Sequence, residues 1–224
     1  MSNLPDITDL ELQSEIIETD ESVTPEQYFA ERVVEDGDHL VVMHPGKNRD
    51  GEFSTNGRQT DKETGEKTGK MFCTFFLQFN TLNDDGSEGM AVFDQVTTIV
   101  VPDIRTSKVD LILKCVKQPA KSGISLAELK SQFTNSVAAG LKLKIGTQWQ
   151  ASAKIETEEQ AELVSTGKKK YKVGDYYTFL RGMKKFPPKT DSEGKIVGYE
   201  PEATDPKTGL VGKRRVTVVR YLPA

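Results

Sequence analysis

Two cysteines, two histidines and one tryptophan in 224 residues leave little material for several kinds of chemistry. Cys73 and Cys115 are too few for a disulfide scaffold, and their scarcity points to a reducing, cytoplasmic compartment. Together with His39 and His44 they lack zinc-finger spacing, so no metal is expected and Cys115 reads as a core filler. No run approaches the roughly 18 apolar residues of a membrane span. The opening "MSNLPDITDLELQ" has neither a basic start nor an apolar core, so no secretory signal is expected. Neither GxGxxG nor GxxxxGK[ST] occurs, which argues against a phosphate-cradling loop, and no Ser, His and Asp grouping stands out. "NDDG" at 83 to 86 reads as turn chemistry in preference to a metal site. The expectation is a protein that is not an enzyme and carries no cofactor.

Positive charge is also missing from the first 31 residues, which hold nine acids and no Lys or Arg. The remainder of the chain carries 30 bases against 25 acids, so a mildly basic body follows an acidic start. Residues 1–23 are expected to form a flexible acidic tail, either a solubilising segment or a docking point for a charged partner. Residues 24–224 are expected to form a single domain.

Within that body, "TPEQYFAERVV" reads as a helix, with Thr24 capping, Pro25 at the first position and Gln27 completing a capping box. "HLVVMH" (39–44) is a short apolar strand, followed by a long Gly-rich loop to residue 69. "KMFCTFFLQFN" (70–80) alternates clearly. Met71, Cys73, Phe75, Leu77 and Phe79 form one apolar face and must be core. "MAVFDQVTTIVV" (90–101) returns as a strand with an irregularity expected near Asp94. "SKVDLILKCV" fits either a helix opened by Ser107 or a strand. "SLAELKSQFTNSVAAG" is a helix with a Ser125/Glu128 capping box and a stripe of Leu126, Leu129, Phe133 and Val137. "TQWQASAKIE" (147–156), about Tyr171–Arg181, and "KRRVTVVRYL" (213–222) are further strands, and Trp149 is assigned to the core.

This order matches a mainly β fold with some α, an elaborated OB-like five-stranded barrel. It has a helix between strands three and four, long loops and an extra C-terminal strand. "GTQWQASAKIE" followed by "YKVGDYYTFLRGMKKFP" resembles the late strands of OB-fold single-stranded-DNA-binding proteins of phages and mobile elements, over roughly residues 39–181. The resemblance implies a protein of a bacterial or infected host cell that coats and protects single-stranded DNA in replication or recombination, largely without sequence preference. It also implies that the acidic N-terminal tail is a docking point for replication and recombination proteins. One departure is that such proteins often carry their acidic tail at the C-terminus, whereas this chain ends in "VVRYLPA".

Residues 168–189 carry the chemistry that such binding needs, with eight Lys and Arg, five aromatics and a single acid. Lys168, Lys169, Lys170, Lys172, Arg181, Lys184 and Lys185 are candidates for phosphate contacts; of Tyr171, Tyr176, Tyr177 and Phe179, which span both faces of a strand, Tyr171 and Tyr177 are the candidates for base stacking. The bland alternative is a strand with a core aromatic face and solvated lysines. Phe72 and Phe76 lie on the second face of a strand whose first face is already core, so they need either a cover or a ligand. If the cover is another subunit, the chain is a phage or viral structural protein, or a homo-oligomer, using the same surfaces for contacts. No membrane partner is expected.

Overall fold

The computed structural model describes residues 9–29, 36–60, 67–100, 105–167 and 169–224. In chain order the elements are α1 (Asp9–Ser14), β1 (Ile16–Ile17), α2 (Pro25–Phe29), β2 (Asp38–Pro45), β3 (Ser54–Thr60), β4 (Lys67–Leu82), β5 (Glu88–Thr97), α3 (Lys108–Cys115), β6 (Ile124–Ser125), α4 (Leu126–Ala138), β7 (Lys142–Lys154), α5 (Glu158–Val164), β8 (Tyr176–Arg181), β9 (Pro188–Thr190), β10 (Ile196–Tyr199), β11 (Glu202–Thr204) and β12 (Val211–Leu222). The fold is mainly β. Among the described residues there are twelve strands, more than the five-stranded barrel with an extra C-terminal strand expected from the sequence, and they do not close into a barrel. Hydrophobic period could not reveal the additional strands. β3 is "STNGRQT", a polar run held by its backbone on the edge of β4, and it lies inside the segment expected to be a loop.

The chain divides into two compact units. The first comprises Met1–Arg32, Asp38–Gly146 and Arg220–Ala224, and the second Val33–Gly37 and Thr147–Val219. Two of the four boundaries fall inside β7 and β12, so no Pro- or Gly-rich linker marks them in the sequence.

In the first unit β4 is the organising strand. One of its edges is taken in turn by β3, opposite residues 67–75, and by β2, opposite residues 77–81; β5 takes the other edge. Its odd-numbered face is the core, as the alternation predicts, with Cys73, Phe75 and Phe79 fully buried. Phe75 meets Phe133 of α4 edge-on, with ring centroids 4.7 Å apart. Leu126, Leu129, Phe133 and Val137 are all buried, and each contributes about 1.5–3 kcal/mol by leaving water. The Ser125/Glu128 capping box forms as expected, and the Ser125 backbone and hydroxyl donors hold the Glu128 carboxyl below its ordinary range. Residues 108–115 are helical, resolving the ambiguity in favour of the Ser107 cap, whose side chain accepts from the Asp110 N–H. The irregularity expected near Asp94 lies instead between Asn80 and Leu82; Asp94 pairs regularly with Leu77. Burial among these elements pushes the Cys115 thiol up to about 12.

The described part of the acidic N-terminus belongs to this unit and is docked from residue 11 onward, in contrast to the flexible tail expected for residues 1–23; residues 1–8 of that expected tail lie outside the described residues. Leu12 is fully buried, β1 pairs with β6, and the Thr19 hydroxyl donates to Asp110. Lys114 reaches the carbonyls of Asp20 and Val23 at 2.8 Å each. Several acids find local partners: Glu11 pairs with Arg58 at 2.6 Å, and Glu21 accepts from the Ser122 N–H. The sequence hid this because single apolar residues, with no sustained period, make the anchoring contacts. The Thr24/Gln27 capping box of α2 forms as expected.

In the second unit, β7 from Thr147 onward is flanked by β8 and β12, and β12 by β11; β9 and β10 pair as a separate hairpin. Ala151, Phe186 and Ala203 form one buried cluster, and Ile155, Ala161 and Val164 a second beneath α5. The β7–β8 register shifts between Ala151 and Ser152, leaving Phe179 as an extra residue on β8. Its ring lies over Gly212, where a Cβ would come within 2.6 Å of the ring.

Candidate nucleic-acid interface

Period two sorts the side chains of the second unit's sheet. Ala151 and Ala153 of β7, with Leu180 and Tyr177 opposite them, face the buried clusters. On the other face stand Gln150, Ser152 and Lys154, opposite Arg181, Thr178 and Tyr176. That face is polar, tied by a 2.7 Å hydrogen bond between the Ser152 and Thr178 hydroxyls. It carries one large exposed ring, Tyr176, at 48% exposure. The Arg215 guanidinium of β12 lies over that ring, 5.3 Å from its centroid. Lys154 and Arg215, both exposed, flank this ring, and the exposed Arg181 stands on the same face at the other end of β8.

The candidate aromatics from the sequence fall elsewhere. Tyr171 and Tyr177 touch edge-on at 5.7 Å, and both pack against Ile155, Ala161 and Val164. The Tyr177 hydroxyl donates to Asp205 at 3.3 Å. Burial first, then the neighbouring Asp205 carboxylate, raises the Tyr177 hydroxyl above its ordinary range. Asp205 is held low chiefly by the Thr208 hydroxyl. Tyr177 is thus a half-buried packing residue, because the strand's alternation sets it opposite Ala153 on the inward face, and Tyr176 takes the outward position instead.

The lysine-rich connection is exposed at Lys169, Lys170 and Lys172; Lys168 lies outside the described residues. Lys169 places its ammonium 4.3 Å from the Tyr171 ring centroid, and the Lys172 N–H donates to Asp175 to close a turn into β8. Lys184 and Lys185 are exposed on the single 3-10 turn Met183–Lys185. That turn is pinned to β7: the Gly182 N–H donates to the Trp149 carbonyl at 2.8 Å, and Asp36 accepts from the N–H groups of both Met183 and Trp149.

The strand β12 holds basic residues that the sequence reading passed over. Arg214 and Arg215 are exposed and each lies over an aromatic ring, Trp149 and Tyr176 respectively. Residues 168–219 together hold thirteen Lys and Arg against six acids. The signal was present in "KRR", adjacent to an alternating strand, but the partner rings are distant in sequence.

Phe72 and Phe76 belong to the first unit, on the outer face of β4 opposite the core. Both are half-buried. The Phe72 ring lies across Gly57 of β3, its register partner, so that a Cβ there would meet the ring at 2.5 Å. Phe93 of β5 shares this outer face and is 63% exposed, more open than either residue chosen from the sequence. Beside it His44, Asn80 and Glu88 form a polar group, with His44 Nε2 3.0 Å from the carboxylate. The Asn80 amide first, then His44, holds the Glu88 carboxyl below its ordinary range.

Among the described residues no group of three or more His, Cys, Asp or Glu is placed to hold a metal ion, and no helix is long and apolar enough to cross a membrane. Comparison with protein-family models, curated proteins and solved structures gives no match for the chain.

Proposed function

We propose that the chain binds single-stranded DNA without strong sequence preference, through the basic and aromatic surface of its second unit, and that it coats and protects such strands in replication or recombination, in a phage or a related element. The observation that carries this reading is Tyr176, an exposed ring between Lys154 and Arg215 on a polar sheet face that Arg181 extends. Binding of this kind needs cations for phosphates and flat side chains for bases, and every base offers a face that stacks. An OB-type arrangement, elaborated by extra strands, and a role without catalysis are part of the same reading. The test is fluorescence anisotropy with labelled oligo(dT) and a matched duplex. Oligo(dT) is expected to bind more tightly, with affinity falling by a log–log slope of about −0.7 per phosphate contact as salt rises. Preference for duplex, or indifference to salt, overturns it.

A second reading rests on Phe93. A ring this exposed, on a strand that pairs only with β4 among the described residues, suits contact with another subunit, as in a phage or viral structural protein. Sedimentation of the chain alone separates the two, since concentration-dependent assembly abolished by Phe93→Ser, with no oligo(dT) binding, favours the second.

A further inference from the structure

Trp149, assigned to the core from its alternation with Ala151, Ala153 and Ile155, is only partly buried. Phe186 and Tyr199 stand nearly perpendicular to it, at 82° and 79°, with centroids 5.6 and 6.4 Å away. The Arg214 guanidinium lies over the indole, 4.2 Å from its centroid. Arg214 is exposed, so this contact leads from the indole to solvent. The turn bearing Lys184 and Lys185 is fixed to the Trp149 backbone, directly through the Gly182 N–H and indirectly through Asp36. One flat ring therefore lies under a solvent-exposed guanidinium, and backbone hydrogen bonds hold the turn that bears two further exposed cations to the same residue.

The geometry points to a second base position at Trp149: a nucleobase of the bound single strand takes the indole face that Arg214 now covers, and Arg214 turns onto the adjoining phosphate. This deepens the function proposed above and rests on it. The exchange is favourable in direction. An exposed cation–π contact is weaker than a stacked base, and the displaced guanidinium gains a charge-assisted partner instead of returning to water alone. Charge complementarity selects the occupant, because Lys184, Lys185 and Arg214 suit a polyanion, and the indole suits the flat groups such a strand carries. Asp36 acts as a positioning residue. It accepts from the backbone of β7 and of the lysine turn at once, and so holds ring and cations in register.

The chain has a single tryptophan, so emission excited beyond the absorption of its six tyrosines reports this position alone. Titration of the full chain with oligo(dT) is expected to quench the emission saturably and to shield the indole from acrylamide. Arg214→Ala leaves the quenching in place, because the ring still takes a base, but reduces the magnitude of the log–log salt slope by about 0.7, the share of one phosphate. Trp149→Ala weakens oligo(dT) binding about five-fold or more, the fold equivalent of one stacked base. Trp149→Phe, which keeps the packing against Phe186, recovers most of it. Oligo(dT) binding by anisotropy with unchanged emission, unchanged acrylamide access and an unchanged slope in Arg214→Ala overturns the second position while leaving the function standing. Absence of any oligo(dT) binding overturns both.

Discussion

Lys114 and Asp110 form an ion pair of 3.0 Å, one helical turn apart, with side chains only 9% and 3% exposed. The same Asp110 oxygen accepts from Thr19 and Thr106, while Lys114 spends its other donors on the carbonyls of Asp20 and Val23. The pair therefore fastens the N-terminal segment to α3. Lys114→Met leaves a carboxylate buried without its cation and is expected to cost about 3–5 kcal/mol. Replacing Asp110 by Leu as well should cost less than Lys114→Met alone, since no unpaired charge then remains. Urea denaturation measures both, and additive losses would contradict the assignment.

Asp94 predicts a pH dependence. Burial raises its carboxyl above the ordinary 3.8, and the hydrogen bond from Tyr221 and the nearby Lys108 do not overcome that. The folded chain thus holds this proton more firmly than the unfolded chain. Its contribution to stability is complete below 3.8 and is lost as the pH rises through the raised value. Asp94→Asn cannot ionise and escapes the loss. Its melting temperature relative to the parent should climb from about pH 4 until the raised value is passed and then level. A difference that does not vary with pH would count against it.

The contact between Phe72 and Gly57 predicts an overpacking effect. Glycine to alanine within a strand ordinarily gains about 0.5–1 kcal/mol, but a methyl at Gly57 would strike the Phe72 ring. Gly57→Ala is expected to destabilise by about 1–3 kcal/mol, and to become neutral or stabilising when Phe72 is also alanine. Thermal melts of the two single variants and the double variant complete the cycle.

Tyr176 and Tyr177 are neighbours in sequence with opposite expected phenotypes. Tyr176→Ala should reduce oligo(dT) affinity by about 1–3 kcal/mol and barely change stability. Tyr177→Ala should lower the melting temperature, because it strips a ring from the cluster of Ile155, Ala161 and Val164 and removes a hydrogen bond to Asp205. Reversed effects would assign the inward and outward faces of β8 the other way.

How far the sequence revealed this molecule depended on period and capping. The core face of β4, the stripe of α4 and both capping boxes follow from patterns local to a few residues. What escaped was set by partners far away along the chain. β3 has no apolar alternation of its own and exists because β4 offers it an edge. A bulge at Phe179 and the pairing with β7 decide which tyrosine points outward, and neither can be read from "GDYYTFLRG". Arg214 and Trp149 meet across 65 positions, and each looked ordinary in its own strand.

The distribution of rare residues also separates the two units spectroscopically. Both thiols, Cys73 and Cys115, are buried in the first unit, where the Cys115 thiol is pushed up to about 12, so each should resist alkylation until that unit opens. The only indole, Trp149, lies in the second. The natural chain thus contains two orthogonal reporters. A denaturant series followed by thiol labelling and by intrinsic emission would show whether the units melt as one cooperative block or in sequence, without a single engineered change.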